Sequence, residues 1–462
     1  MSRPLIGRTI RRLRTERALS QQALAARLGI SASYLNLIEH DQRAVTASLL
    51  MKLGTVLQAD LAALSGSTER QLESSLREIM ADPALGLEPV PDTELQALAG
   101  SAPGAARAML ALYRAWRVAQ EDAAGIALPS GRRILLPIEE ARDFFSHHGN
   151  HFPALESLAE HLLANCGDPN TALGRTFAER LARDHGVRVR VGPLDMQRRY
   201  DPETRILALS ETMQRETRTF HLAFQLALME GREVVDALTA SASPTTPDAA
   251  DLIRVGLLSY ASGALVLPYA RILGAAQTLR YDVDTLAARF GVSFEQVAHR
   301  LCTLQRDGAR GIPFFFVRTD PAGNMDKRYS AAGFPFARFG GSCPLWVAHT
   351  AFMTPDRMCV QAGELPDGAA FLCFGRVVTG TASRWGDPPP RHAVALGCDI
   401  DRAPEVVYSD GLDLARRVGI GLSCRLCDRT ECRSRAFPPL QHRLIVDPNE
   451  GSAVPWRFVP GR

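Results

Sequence analysis

Residues 19–43, LSQQALAARLGISASYLNLIEHDQR, leave the chain little conformational choice. Ser20 stands where a helix needs a side-chain acceptor for its first free amides, and QQALAARL follows it as good helix-forming sequence. Gly29 can take the left-handed conformation that ends a helix. Ser31 then repeats the cap ahead of ASYLNLIEH. Two short helices joined by so tight a turn predict a helix–turn–helix. Its first helix crosses the phosphates, and its second presents N-terminal side chains to base edges in the major groove. The candidates on that face are Ser31, Ser33, Tyr34 and Asn36. Gln21 sits at a helix N-terminus, where its amide and the nearby backbone N–H groups can hold a phosphate. Leu24, Leu28, Leu35, Leu37 and Ile38 can supply a core, and Thr46 caps a further helix, ASLLMKLGTVL.

Charge placement agrees. Residues 1–52 carry nine basic and three acidic side chains, a balance of +6, although the whole chain has a net charge of only +3. A basic end on a near-neutral body points to a polyanion partner for that end alone. Arg43 and the arginines of a helix over 5–16 would add the salt-sensitive attraction to DNA. One small module offers too few base contacts for tight specificity, so a homodimer on double-stranded operator DNA is expected. Arg3, Arg8, Arg11 and Arg12 interrupt every early apolar run, so no signal peptide is expected. The longest uncharged stretch, Val255–Ala270, is sixteen residues with Pro268 inside it, which predicts a buried helix and not a membrane span. The expected location is the cytoplasm, with no membrane contact.

A chain of 462 residues is too long for one core. The expected division is a DNA-binding domain at 1–65, a helical linker or dimerisation region at 66–150, a middle domain at 151–306 and a C-terminal domain at 307–462. Helical periodicity marks 68–81, 105–124, 153–164, 172–185, 211–230, 248–275 and a helix–turn–helix pattern at 281–306, while VRVRV (187–191) alternates as a strand. Prolines 83, 89, 91 and 103 mark a linker between the first two of these helices. From 312 onward IPFFFVRTD, LWVAHTAF, AAFLCFGRVV and HAVALGCD are short apolar runs split by Gly and Pro, hence strands. The fold class is therefore multidomain: mainly α in the N-terminal and middle parts, α+β at the C-terminus.

Cys424, Cys427 and Cys432 form C-x2-C-x4-C on a loop rich in arginine. Three thiols so close can converge on one metal or cluster, and arginines beside them would favour thiolates. A fourth ligand could be Cys398 or Cys343. A compact triplet with a remote fourth ligand favours an iron–sulfur cluster; zinc and plain reduced thiols remain open. Cys166, Cys302, Cys359 and Cys373 lie in apolar settings and read as core. In FFFVRTDPAGNMDKR, Arg318, Asn324, Lys327 and Arg328 stand beside aromatic residues, which suits a carboxylate or a CoA phosphate with an acyl tail.

The N-terminal residues resemble the Xre, or lambda-repressor-like, class. SASYLNLIEHDQR, FGVSFEQVAHRLCTLQRDG, PAGNMDKRYSAAGF, GGSCPLW and CRLCDRTECRSRAFPP resemble in order the blocks of a narrower family, the short-chain fatty acyl transcriptional regulators. The resemblance covers nearly the whole chain. It implies a sensor of acyl-CoA esters or small carboxylates, with a GAF-like C-terminal domain and a zincin-like middle domain akin to the ImmA/IrrE metallopeptidases. On that pattern the zinc helix falls at RTFHLAFQLALMEG (218–231), with Phe224 and Leu228 at the two His positions and Gln225 at the catalytic Glu. His221 is out of register by three. Phe and Leu cannot ligate zinc and Gln cannot act as the base, so no zinc and no catalytic residue are expected there. His221 with Glu230 is the one alternative pair on this helix. The rival functions are an iron–sulfur redox or iron sensor without an acyl ligand, and a metallopeptidase.

Overall fold

The computed structural model describes residues 7–57, 67–123, 137–164, 173–336, 342–380, 385–439, 443–449 and 457–459, apart from residues 18, 41, 44, 83, 84, 86, 89 and 356. Helices Gly7–Glu16 (α1), Gln21–Leu28 (α2), Ala32–Glu39 (α3) and Ala47–Val56 (α4) form the N-terminal bundle. The caps stand where the sequence puts them: Ser20 Oγ accepts from Ala23 N and Ser31 Oγ from Tyr34 N, both at 3.1 Å, and Thr46 Oγ1 accepts from Leu49 N at 3.3 Å. Gly29, at φ 71°, closes α2 with a left-handed residue that a side chain would strain. Ile10, Leu24, Leu28, Leu35, Ile38 and Leu53 make the core; Leu37 is only half-buried.

Helices Ser67–Met80 (α5), Asp92–Ser101 (α6) and Pro103–Ala123 (α7) follow. The stretch expected as a linker thus holds an additional helix. Pro91 caps α6 and Pro103 opens α7, so both prolines start helices, where a missing N–H costs nothing. The three helices share a core of their own built on Leu76, Ile79, Leu95, Ala106 and Leu110.

The middle part runs through Pro137–His147 (α8), Pro153–Ala164 (α9), Leu173–His185 (α10), Arg188–Gly192 (β1), Arg198–Asp201 (β2), Ile206–Ser210 (β3), Arg215–Glu230 (α11), Arg232–Ser241 (α12), Pro247–Val266 (α13), Tyr269–Thr278 (α14), Val283–Phe290 (α15) and Phe294–Leu301 (α16). β3 lies between β1, to which it is parallel, and β2, to which it is antiparallel. β2 and β3 were not foreseen. Their turn is held by Asp201, whose carboxylate accepts from Glu203 N and Thr204 Oγ1. The single helix expected at 248–275 is two, divided at Pro268, which cannot continue α13. Among the described residues α13 is the one helix long and apolar enough to cross a membrane; over half of it is buried among the other helices.

The C-terminal part is built on one six-stranded sheet: Phe315–Thr319 (β4), Met325–Ser330 (β5), Cys359–Glu364 (β6), Ala370–Thr379 (β7), Arg391–Asp399 (β8) and Val418–Gly419 (β9), in the order β5-β4-β8-β7-β6-β9. This is the expected α+β arrangement. LWVAHTAF, read as a strand, is instead the short helix Val347–Thr350 (α17) running into a 3-10 turn. It buries Val347 and Ala351, one turn apart, and so follows a helical and not an alternating period.

Alternation along β4 decides the layering. Phe314 and Phe316 face the core that also holds α9, α11, α13 and α16, whereas Phe315 and Val317 face a second core with Phe334, Trp346 and Phe371. One hydrophobic core therefore crosses the boundary expected at 306, and the middle helices are the support of the sheet.

Candidate functional site

Ser33, Asn36 and Arg43 are exposed on the helix–turn–helix. Ser31 is exposed too, but its hydroxyl is the helix cap. Tyr34 is half-buried and leans on the bundle core. Gln21 does not extend freely toward a phosphate: its Nε2 donates to Glu39 Oε2 at 2.8 Å and to Asn36 Oδ1 at 3.2 Å. Arg14, one of the helix-one arginines expected on phosphates, is turned inward onto Glu39, with Nε to Oε1 at 2.6 Å and Nη2 to Oε2 at 3.0 Å. That buried pair was not foreseen. Its signal was a carboxylate at a helical position otherwise facing the core.

Cys343, Cys424, Cys427 and Cys432 line one depression together with Arg429 and Arg435. α17 and the sheet place Cys343; the loop after β9 places the other three. Cys398 does not join them. It lies on β8 in the core shared with the middle helices, while Cys343 belongs to the core on the opposite face of the sheet. A sheet stands between them, so Cys398 is a core thiol, and burial pushes its pKa well up. Burial also raises the Cys343 thiol, against the backbone N–H groups of Gly421 and Leu345.

Arg435 fastens the loop. Its Nη1 donates to Cys424 O, and its Nη2 to Cys427 O and Arg429 O, each at 2.7 Å. The donor set of four soft thiols beside Arg429 and Arg435 suits a sulfur-ligated centre. Among the described residues no three His, Cys, Asp or Glu side chains stand close enough to grip a single ion. Cys302 and Cys373 are core residues, Cys359 is half-exposed beside Thr354, and Cys166 lies outside the described residues.

The four residues expected at an effector site are each engaged elsewhere. Arg318 pairs with Asp326 and, at 2.8 Å, with Glu295 of α16, which also holds Lys327 at 2.7 Å. Arg328 is half-buried against Glu139 of α8, and Asn324 bonds Asp320 within its turn. These cations pin the sheet to the middle helices.

The peptidase-like helix α11 is different. Phe224 and Gln225 are buried. Arg198 of β2 lies 4.0 Å over the Phe224 ring and donates to Gln225 Oε1 at 3.2 Å; no carboxylate among the described residues pairs with it, and burial lowers its pKa. His221 meets Gln197 Oε1 at 3.2 Å; burial and then Arg198 push it down to about 4, so it is neutral. Its Nδ1 and Gln225 Nε2 are buried without partners. Glu230 bonds Arg180 and His185, so the alternative His221–Glu230 pair does not form.

Residues 10–71 match the helix–turn–helix family model, residues 182–302 the IrrE N-terminal-like domain, and residues 303–456 the short-chain fatty acyl coenzyme A regulator C-terminal domain. The chain is 40% identical over 98% of both sequences to the propionyl-CoA carboxylase regulator of Cereibacter sphaeroides. It is 38% identical to two regulators of Mycobacterium tuberculosis, RamB over 99% of both sequences, and PrpR over 98% of this chain and 96% of that one. A solved transcriptional regulator from Mycobacterium tuberculosis matches with a TM-score of 0.67 and 41% identity, covering 70% of this chain and 99% of its own. Helix–turn–helix, IrrE-like body and C-terminal sheet, matched along the full length, show that the chain belongs to the short-chain fatty acyl coenzyme A regulator family of transcriptional regulators.

Proposed function

We propose that the chain is a homodimeric regulator that binds operator DNA and controls short-chain acyl-CoA metabolism, with an acyl-CoA-type ligand as its signal. The observation that carries it is the trio at α11. Half-buried Arg198 and His221 stand beside buried Gln225 where a hydrolytic site would be; His221 Nδ1 and Gln225 Nε2 are buried without partners, Arg198 has no carboxylate beside it among the described residues, and such groups call for a partner. A carboxylate or thioester carbonyl would supply it. This seat is better than the one expected around Arg318, Asn324, Lys327 and Arg328, whose side chains already have partners. With Phe224 and Leu228 at ligand positions, α11 has no chemistry for hydrolysis, and we read the IrrE-like part as a binding body and not an enzyme. Its place of work is then the cytoplasm, with the DNA.

A second reading is favoured by the cysteine depression: Cys343, Cys424, Cys427 and Cys432 hold an iron–sulfur cluster that is itself the input. One experiment addresses both. The full-length chain, purified without oxygen, is assayed for iron, zinc and acid-labile sulfide, and used to select genomic DNA fragments with and without propionyl-CoA. A Kd for the selected DNA that moves with propionyl-CoA, and no longer does so in Arg198→Met, supports the first reading. A Kd that ignores propionyl-CoA but changes when iron is removed replaces it with the second. Selection of no sequence overturns DNA reading altogether.

A further inference from the structure

We propose that one face of α5 is the joint through which the body of the chain controls the DNA-binding bundle, a polar seam that opens and closes as a unit. This inference rests on the reading above, in which the body senses and the bundle binds DNA. α5 buries two faces of opposite kind. Leu72, Leu76 and Ile79 pack on α6 and α7, and α6 in turn packs on α1 of the N-terminal bundle. Gln71, Ser74, Ser75 and Glu78 follow one another at helical spacing and share the other face. That face lies against the body. Gln71 Nε2 donates to Phe336 O at 3.2 Å, and the Glu78 charge acts on Arg328 of β5. Ser74, Ser75 and Glu78 are all buried there.

The chemistry of each face sets how it behaves. An apolar face costs free energy to expose, in proportion to its area. α5, α6 and α7 therefore move as one piece, with α1 packed on it. A polar face regains water when it opens, and polar contacts between parts of a chain are the ones that come apart. The closed seam is also imperfect. Ser75 Oγ turns back to Gln71 O within the helix, and Ser74 Oγ is buried with no hydrogen-bond partner. Glu73, beside the seam, has Asp367 of the β6–β7 turn as a like charge. On the body side, Phe336 belongs to the core that holds Trp346 and Cys343, and Arg328 pairs with Glu139 of α8. The seam thus meets the body at two points. One is the core beneath the cysteine depression. The other is the edge of the sheet, where Arg142 of α8 donates to Met325 O and Asp326 O of β5. A shift in either reaches α5, and through α6 the DNA-binding bundle.

The test uses the full-length chain and the DNA that it selects. Kd is measured with and without propionyl-CoA, and before and after removal of iron. In the wild type the signal that acts is expected to change Kd by about fivefold or more. Gln71→Ala combined with Glu78→Ala should bring that ratio within about twofold of unity. The same double variant should bind propionyl-CoA or iron as the wild type does, since neither residue lies in the thiol depression or at α11. Arg70→Ala, an exposed change on the same helix, should keep the response. Ser74→Ala guards against a double variant that fails to fold. It deletes a hydroxyl that only the closed seam leaves unpaired, and should move the signal concentration at half-response by about fivefold. Loss of the response with signal binding kept supports the joint. A double variant that responds as the wild type does, or that no longer binds the signal, overturns it while sensing stands, and so does an unmoved half-response in Ser74→Ala. A wild type whose Kd ignores both propionyl-CoA and iron overturns the sensing reading, and the joint with it.

Discussion

Arg300→Met should be among the most damaging single changes in the body of the protein. Arg300 and Glu156 are 2% and 1% exposed. The guanidinium meets both carboxylate oxygens, at 2.6 and 2.8 Å, and two further donors go to Leu267 O and Thr303 Oγ1, each at 2.9 Å. Tyr260 adds a hydroxyl to the same carboxylate, and Tyr269, His151 and Arg306 surround it. Methionine keeps the stem and removes the charge, leaving a carboxylate buried and unpaired. Breaking such a pair costs about 3–5 kcal/mol. At roughly 2–4 °C per kcal/mol for a body of some 150–250 residues, the melting temperature should fall by about 6–20 °C. The pH dependence gives an independent check. In the wild type, burial tends to raise the Glu156 carboxyl, but the charge and hydrogen bonds of Arg300 outweigh it and the net shift is downward. Its contribution is then present above the ordinary carboxyl range and lost as pH falls through the lowered folded value. Without Arg300, burial prevails and the shift reverses. The variant's deficit should therefore be largest near pH 8 and shrink toward pH 5, where a neutral carboxyl can form. Adding Glu156→Gln to Arg300→Met should restore most of the loss. Thermal unfolding followed by near-ultraviolet circular dichroism reads all of this. A loss below about 1 kcal/mol, or a double variant no better than the single, would refute the claim that the pair is buried and mutually required.

Other expectations are narrower. Cys343→Ser should strip most of any bound metal, whereas Cys398→Ser should leave metal content unchanged, because a sheet separates Cys398 from the other thiols; metal analysis of the two proteins decides it. Gly397→Ala should destabilise by about 1–3 kcal/mol, since a methyl group there falls on the Phe315 ring and 3.0 Å from Leu372 O; urea unfolding measures it. Arg43→Ala should weaken DNA binding across all sequences and reduce the slope of log Kd against log salt by about 0.9, the release of one phosphate's counterion. A change confined to one base pair would instead make Arg43 a base reader.

How much of this was legible without coordinates depended on how local the cause was. A cap is made within four residues, so Ser20, Ser31 and Thr46 could be assigned by reading, and Gly29 with them. The identity of the residues at the positions where the resemblance puts zinc ligands, Phe224 and Leu228, was equally local, because ligands one turn apart are a statement about spacing. LWVAHTAF misled because a short apolar run has no period of its own; its neighbours Phe334 and Phe371 decide which side chains are buried. The prolines at 91 and 103 misled because the same residue ends one helix and begins the next.

By itself, then, the sequence determined the capped helices of the N-terminal bundle and the three thiols of one loop, since each needs only neighbours along the chain. Tertiary structure alone decided which distant groups meet. It put Cys343 and not Cys398 beside the thiol loop, because successive residues of a strand face opposite sides of a sheet, and Cys398 faces the side packed on the middle helices. It gave Arg318, Lys327 and Arg328 carboxylate partners from helices beside them in space, since a charge near apolar surface is stable only when paired. And it brought Glu39, Gln21 and Asn36 into one hydrogen-bonded line, because the packing of two short helices sets side chains 15 and 18 residues apart in contact.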